Sequence, residues 1–194
     1  MALQYGRFTE ALELLKAGGI DPGLRHIASS AQLELAPQYS LDAVRIGRRL
    51  YMDNPVSPAG GVSEVPSFRA FIADVRQRSA GETLGYNGSV ILERDRTVAV
   101  LDIGYGDGLN RRLVELRGPV LVNGVRCPFL ATCMDQCFID VTGVDCARGD
   151  EVTLFGRAAD GSFLSSQEVS NICDGDEGCG LTSALSSRVK RIYI

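Results

Sequence analysis

A chain of 194 residues, 45% of them hydrophobic, fills one domain or one and part of a second, and no apolar run reaches the 18 residues a membrane span needs. Its formal net charge of -4 gives no basic footprint for nucleic acid or an anionic membrane surface. The N-terminus, MALQYGRFTEALELL, has no basic region ahead of an apolar core, which predicts a cytoplasmic protein without an export signal.

Taken in chain order, Phe8, Ala11, Leu12 and Leu15 recur at i, i+3, i+4 and i+7 and predict a helix that Gly18 and Gly19 end. A short strand is expected around Arg25-His26-Ile27, then a helical turn opening at Ser29-Ser30. A second short strand, Ala43-Val44-Arg45, should lead into a helix through Tyr51. One helix and two β-α units have the rhythm of part of a parallel barrel or a doubly wound sheet. Pro55, Pro58, Gly60 and Gly61 mark a linker, dividing the chain into residues 1–60 and 61–194.

From about Ser67 the texture becomes β-rich. Turns are expected at Ala80-Gly81, Asn87-Gly88, Asn123-Gly124, Arg148-Gly149 and Asp160-Gly161, a spacing that predicts an antiparallel barrel or sandwich. Within it, VAVLDIGYGDGLNRRL (98–113) has the strand, glycine-rich turn and helix of a dinucleotide-binding loop. The glycines, however, are spaced Gly-x-Gly-x-Gly, and hairpins follow where a βαβ unit is required. Dinucleotide binding is therefore not expected.

The six cysteines, Cys127, Cys133, Cys137, Cys146, Cys173 and Cys179, include no Cys-x2-Cys pair, and His26 is the sole histidine. Zinc sites want closely paired ligands, so no metal is expected. Cys133 and Cys137 fall four apart in what reads as one strand, roughly 13 Å between them, too far for a disulfide. Reduced thiols, mostly buried fillers, are expected.

Several segments together resemble one known family. GETLGYNGSV (81–90), DIGYGDGLNRRL (102–113), VLVNGVRCP (120–128), CMDQCFIDVT (133–142), GDEVTLFG (149–156) and SRVKRIYI (187–194) occur in the order seen in the C-terminal β domain of alanine racemases. RHIASSAQLELAP (25–37) and DAVRIGRRLY (42–51) resemble the last barrel strands of the same enzymes. The resemblance implies a mixed α/β remnant of a TIM-like barrel over 1–60, followed by an all-β domain, an antiparallel barrel or sandwich, over 61–194. It also implies pyridoxal 5'-phosphate as cofactor, a small amino-acid substrate (alanine or serine), and a homodimer whose active site joins one subunit's barrel to the other's β domain.

By position, the resemblance makes Tyr86 the catalytic base that faces the cofactor lysine across the substrate Cα. A free phenol titrates near pH 10, so lowering it by three units takes about 4 kcal/mol of differential stabilisation. Tyr105, Met134 and Asp135 would line the substrate entrance, with the Met134 amide meeting the substrate carboxylate. Ser30 and the amides of Gly47 and Arg48 would hold the cofactor phosphate. Arg45 would face the pyridine nitrogen, with His26 bonded behind it.

The sequence also departs from the family. The cofactor lysine lies on the first barrel strand of these enzymes, in a segment with no counterpart here, and Lys16 and Lys190 both read as solvated charges, Lys190 in a last strand. The chain alone is therefore expected to be inactive. Ser29 stands where the family usually has Asn, and Leu130-Ala131 where it has Gly-Arg. Cys179 takes the place of a tyrosine that crowds the substrate methyl, which would admit serine. Three functions follow: the C-terminal portion of a racemase serving peptidoglycan synthesis, a non-catalytic β module for dimerisation or partner binding, and one half of a split racemase whose other chain supplies the lysine.

Overall fold

Helix α1 spans Ala2–Ala17, built from residues of high helical propensity, and ends as its glycines dictate. Gly19, at φ 73°, donates to the Lys16 carbonyl, and Ile20 reaches back to that of Leu15, completing a Schellman cap. The computed structural model describes residues 1–30, 32, 37–47, 66–174, 181 and 183–193, in two compact units, Met1–Ser63 and Glu64–Ile194.

In the first unit the predicted apolar stripe of α1 is only partly covered: Phe8 and Leu12 are half-buried, Ala11 and Leu15 are exposed, and none of the helix's residues is fully buried. The two expected strands are reduced to a single parallel bridge, Ser29 with Arg45, flanked by bonds from Asp42 N to Arg25 O and from Arg45 N to Ala28 O, both 3.1 Å. The helical turn does open at Ser29: the Gln32 Oε1 accepts from both the Ser29 amide (3.0 Å) and hydroxyl (2.6 Å), which is the glutamine half of a Ser-x-x-Gln start. The helix expected through Tyr51 and the proline-glycine linker lie outside the described residues.

The second unit is a closed antiparallel sheet. Its strands are β1 (Phe68–Arg78), β4 (Arg96–Leu101), β5 (Pro119–Val122), β6 (Val125–Thr132), β7 (Cys137–Asp140), β8 (Glu151–Arg157) and β9 (Phe163–Leu164). They run in the order β1-β4-β7-β6-β5-β8-β9, and β8 also returns to β1. Closure works because β1 is shared: Phe68 to Phe71 pair with β8, and Ile72 to Arg78 with β4, with bulges that bend the strand between partners. Phe129, Phe155, Ile72, Leu101, Ile139 and Leu154 fill the interior. Two helices plug it, α2 (Arg111–Glu115) through Leu113 and Val114, and α3 (Ser166–Asp174) through Val169 and Cys173.

All five predicted turns are turns. Asn123 and Gly124 have φ 47° and 78°, the doubly left-handed geometry that a two-residue hairpin needs. A small hairpin, β2 (Thr83–Leu84) with β3 (Val90–Ile91), stands apart from the main sheet. It is anchored by its own apolar cluster: Leu84 and Leu92 pack with Val98, Leu130 and Ala131.

Two expectations are corrected. Cys133 and Cys137 do not lie on one strand: Cys133 begins the turn after β6, Cys137 opens β7, and Cys133 N bonds to Gln136 O across the hairpin at 2.7 Å. The distance argument against a disulfide therefore fails in its premise, since the apolar run conceals a Met134-Asp135 turn. Cys127, Cys133, Cys137 and Cys146 carry free thiols. Nor do residues 187–193 form a strand; they follow an irregular course in which the Arg191 guanidinium gathers the carbonyls of Leu185, Ser186 and Val189.

Candidate functional site

The glycine-rich turn is the natural starting point, because its amides decide what it can bind. A phosphate loop leaves consecutive N–H groups free for the ligand. Here Gly104 N donates to Asp107 Oδ2 (2.9 Å), Tyr105 N to Cys133 O (3.1 Å) and Gly106 N to Met134 O (2.8 Å), while the Asp107 and Gly108 amides close the turn internally. The glycines exist for close approach: a Cβ on Gly104 would lie 2.3 Å from Met134 O, and one on Gly108 2.3 Å from Ala184 O. The turn is thus a seam that presses the β6–β7 hairpin and the C-terminal segment onto one end of the barrel.

That seam brings together Tyr86, Tyr105, Met134 and Asp135. Tyr86 follows β2, where Gly85 at φ 77° turns the chain so tightly that a Cβ would sit 2.7 Å from Ser89 Oγ. The phenol, 55% exposed, accepts a hydrogen bond from the Met134 amide at 3.2 Å. Tyr105 stands beside it. Burial first, and then the neighbouring Tyr86 phenol, hold the Tyr105 hydroxyl above the usual phenol range. The Arg111 guanidinium, 5.3 Å over the Tyr105 ring, pulls the other way without reversing the shift.

In the first unit a second set forms across the parallel bridge. Arg45 Nη1 meets His26 Nδ1 at 2.9 Å, and Gly47 N donates to Ser30 Oγ at 3.3 Å. A hydroxyl, a backbone amide and an oriented guanidinium therefore face the same pair of segments. Arg48 and Cys179 lie outside the described residues. Among the described residues no three His, Cys, Asp or Glu side chains gather as metal ligands, and no helix is long and apolar enough to cross a membrane.

Three residues that sequence reasoning did not single out pack against this cluster: Asp107, Arg111 and Arg188. Asp107 is nearly buried yet charged, so it demands a cation, and Arg188 supplies one at 3.2 Å while also reaching Asp135 at 2.6 Å. An acid inside a glycine-rich turn was the available signal; its partner, 81 residues away, had none.

Comparison with known proteins defines the class in the same terms. Residues 65–193 match the family model described as alanine racemase, C-terminal domain, and residues 1–55 match alanine racemase, N-terminal domain, so the chain carries parts of both domains of one two-domain class. It belongs to the alanine racemase family. The alanine racemase of Desulfosudis oleivorans is 35% identical over 196 residues, covering 98% of this chain and 50% of that protein. The chain spans about half the length of the relatives it matches. Among solved structures, alanine racemase from Bacillus anthracis with bound L-Ala-P superposes with a TM-score of 0.83 at 32% identity, covering 98% of this chain and 50% of that one. The Bartonella henselae enzyme, with covalently bound pyridoxal phosphate, gives 0.78 at 28%, covering all of this chain and 52% of that one.

Proposed function

We propose that these 194 residues form the C-terminal portion of a pyridoxal-phosphate-dependent alanine or serine racemase, acting as a homodimer and supplying a D-amino acid for peptidoglycan. The observation that carries the reading is the Tyr86 hydroxyl resting on the Met134 amide beside Tyr105. One wall offers a phenol to move a proton at the substrate Cα and a second tyrosine bordering the entrance with Asp135, and the Met134 N–H, here donated to Tyr86, would turn to the substrate carboxylate only on leaving that phenol.

The first unit, in this reading, is the last part of a TIM-like barrel, and its donor set suits the cofactor. The Ser30 hydroxyl and the Gly47 and Arg48 amides would hold the phosphate, and Arg45, kept in place by His26, would face the ring nitrogen. A guanidinium stays charged and gives up no proton, so Arg45 would keep that nitrogen unprotonated. When bound, the cofactor would withdraw electrons from the substrate Cα and acidify its hydrogen. Lys16 and Lys190 are both exposed, and the lysine that holds the cofactor would come from polypeptide outside these 194 residues. The small Cys179 would leave room for a hydroxymethyl group.

The test is complementation. This chain, mixed with the lysine-bearing N-terminal half of the Desulfosudis oleivorans enzyme, is expected to exchange the Cα hydrogen of L- and D-alanine or serine with solvent deuterium, while neither half does so alone. Tyr86→Phe should slow interconversion of the two enantiomers by roughly 10²- to 10⁴-fold while leaving exchange from the lysine face, and Cys179→Tyr should favour alanine over serine. A folded, cofactor-loaded mixture that exchanges nothing, or that ignores Tyr86→Phe, overturns the reading in favour of a non-catalytic dimerising module.

A further inference from the structure

We infer that Arg188 is the positioning residue of the tyrosine wall, joining by one guanidinium the three separate segments that hold Tyr105 and the Met134 amide in place. The inference rests on reading Tyr86, Tyr105 and Met134 as the substrate-facing wall.

The geometry is a three-way junction. Arg188 Nε lies 3.2 Å from Asp107 Oδ1, and Arg188 Nη2 donates to Asp135 Oδ1 at 2.6 Å. Asp107 uses its other carboxylate oxygen to accept the Gly104 amide at 2.9 Å, so the arginine acts on the start of the turn through a carboxylate already committed to it. Gly106 is pinched between the partners: a Cβ there would lie 3.0 Å from Met134 O and 3.1 Å from Arg188 Nη1. The two ends differ in solvation. The Asp107 side chain is 10% exposed and that of Asp135 59%, so the inner contact is the strong one and the outer contact sets direction. A planar guanidinium can serve two carboxylates at a fixed separation, which a lysine ammonium on a flexible stem cannot.

The C-terminal segment is itself held against the turn. Ser186 N donates to Asp107 O at 3.0 Å, and Arg191 ties the carbonyls of Leu185, Ser186 and Val189. Arg188 therefore acts from a fixed base. Tyr105 follows Gly104 directly and Met134 precedes Asp135, so each anchored position is one residue away from a wall residue, and Tyr86 is carried along on the Met134 amide. The charged or titratable groups acting on the Tyr105 phenol are Tyr86, Arg111 and Cys133. Loss of the Arg188 charge would by itself raise a phenol, so a fall at Tyr105 on replacing Arg188 reports displacement of the ring, not loss of a nearby charge.

The experiment uses the full chain, without cofactor or turnover. Tyrosine titrations followed by nuclear magnetic resonance, with Tyr105 assigned by Tyr105→Phe, are compared for the parent, Arg188→Met, Arg188→Lys and Asp135→Asn. Hydrogen exchange of the Tyr105 and Gly106 amides is measured beside that of Val120 and Ile139 in the barrel. Arg188→Met is expected to move the Tyr105 titration down toward the ordinary phenol value and to speed exchange of the two turn amides at least about tenfold, with the barrel amides unchanged. Arg188→Lys should recover only part of this. Asp135→Asn cuts the exposed arm alone, keeps the protein folded, and should shift Tyr105 in the same direction by less. An unmoved Tyr105 in both Arg188→Met and Asp135→Asn, or equal acceleration of turn and barrel amides, overturns the inference. Because no readout involves turnover, a failure of racemisation in the complemented enzyme would leave this result intact.

Discussion

Asp42 shows how much a single exposed carboxylate organises. It accepts from Arg25 N (3.0 Å), Arg25 Nε (2.6 Å) and, through its other oxygen, Arg25 Nη2 (2.7 Å), while its own amide donates to Arg25 O. The Arg25 side-chain bond first, and its backbone bond second, pull the Asp42 carboxyl down to about 2 from an ordinary 3.8. A depressed carboxylate stabilises the folded form above its unfolded value and loses that effect as pH falls toward its folded one. The Arg25 amide resonance is therefore expected to stay constant from neutrality to about pH 4 and to shift as pH falls toward 2; a shift beginning well above pH 4 would refute the pairing. Both partners face solvent, so the gain is local registration of residues 25–30 against 42–47, not bulk stability. None of this was legible beforehand: an ion pair 17 residues apart has no periodic signature, whereas Arg45 and His26 were found only through a resemblance.

Among elements, the glycine turn is the most instructive. Gly104 has φ -143°, open to any residue, so its glycine is demanded by proximity alone, with the Met134 and Cys133 carbonyls 2.3 and 2.4 Å from a notional Cβ. Gly104→Ala is expected to cost about 1–3 kcal/mol by overpacking and to loosen Tyr105 and Met134 together; urea unfolding with tyrosine fluorescence would measure it, and an unchanged midpoint would contradict the seam. The sequence pattern told where this turn lies but not what it touches. Hairpin spacing and asparagine-glycine pairs are local signals, and they located all five turns. The Met134-Asp135 turn carries no glycine, proline or asparagine, and the strand was read straight through it. Residues 187–193 read as a strand by resemblance and not by any alternation of their own, and there the Arg191 side chain takes the carbonyls of Leu185, Ser186 and Val189.

At the scale of the molecule, the two units differ in how fully they satisfy themselves. The barrel has a continuous interior from Phe68 to Cys173, whereas α1 buries none of its residues. Residues 64–194 alone are expected to unfold cooperatively with the same midpoint as in the whole chain, and α1 amides should exchange orders of magnitude faster than those of β4 and β7. Strong protection of α1 in a demonstrated monomer would contradict this. That the second unit is antiparallel and β-rich was legible from turn spacing; that it closes was not, because closure depends on β1 changing partners at bulges that leave no trace in composition.

The doubly paired β1 sets the timetable of synthesis. Phe68 must wait for Phe155, and Ser67 Oγ for Arg157 O, across some 90 residues of chain. A ribosome that has released β1 through β7 holds a sheet that cannot yet close, with Phe68 to Phe71 of β1 still unpaired. The ring is completed only when β8 emerges, so this domain matures late and slowly, and a pause in translation before residue 151 would leave it at its most vulnerable to misassociation.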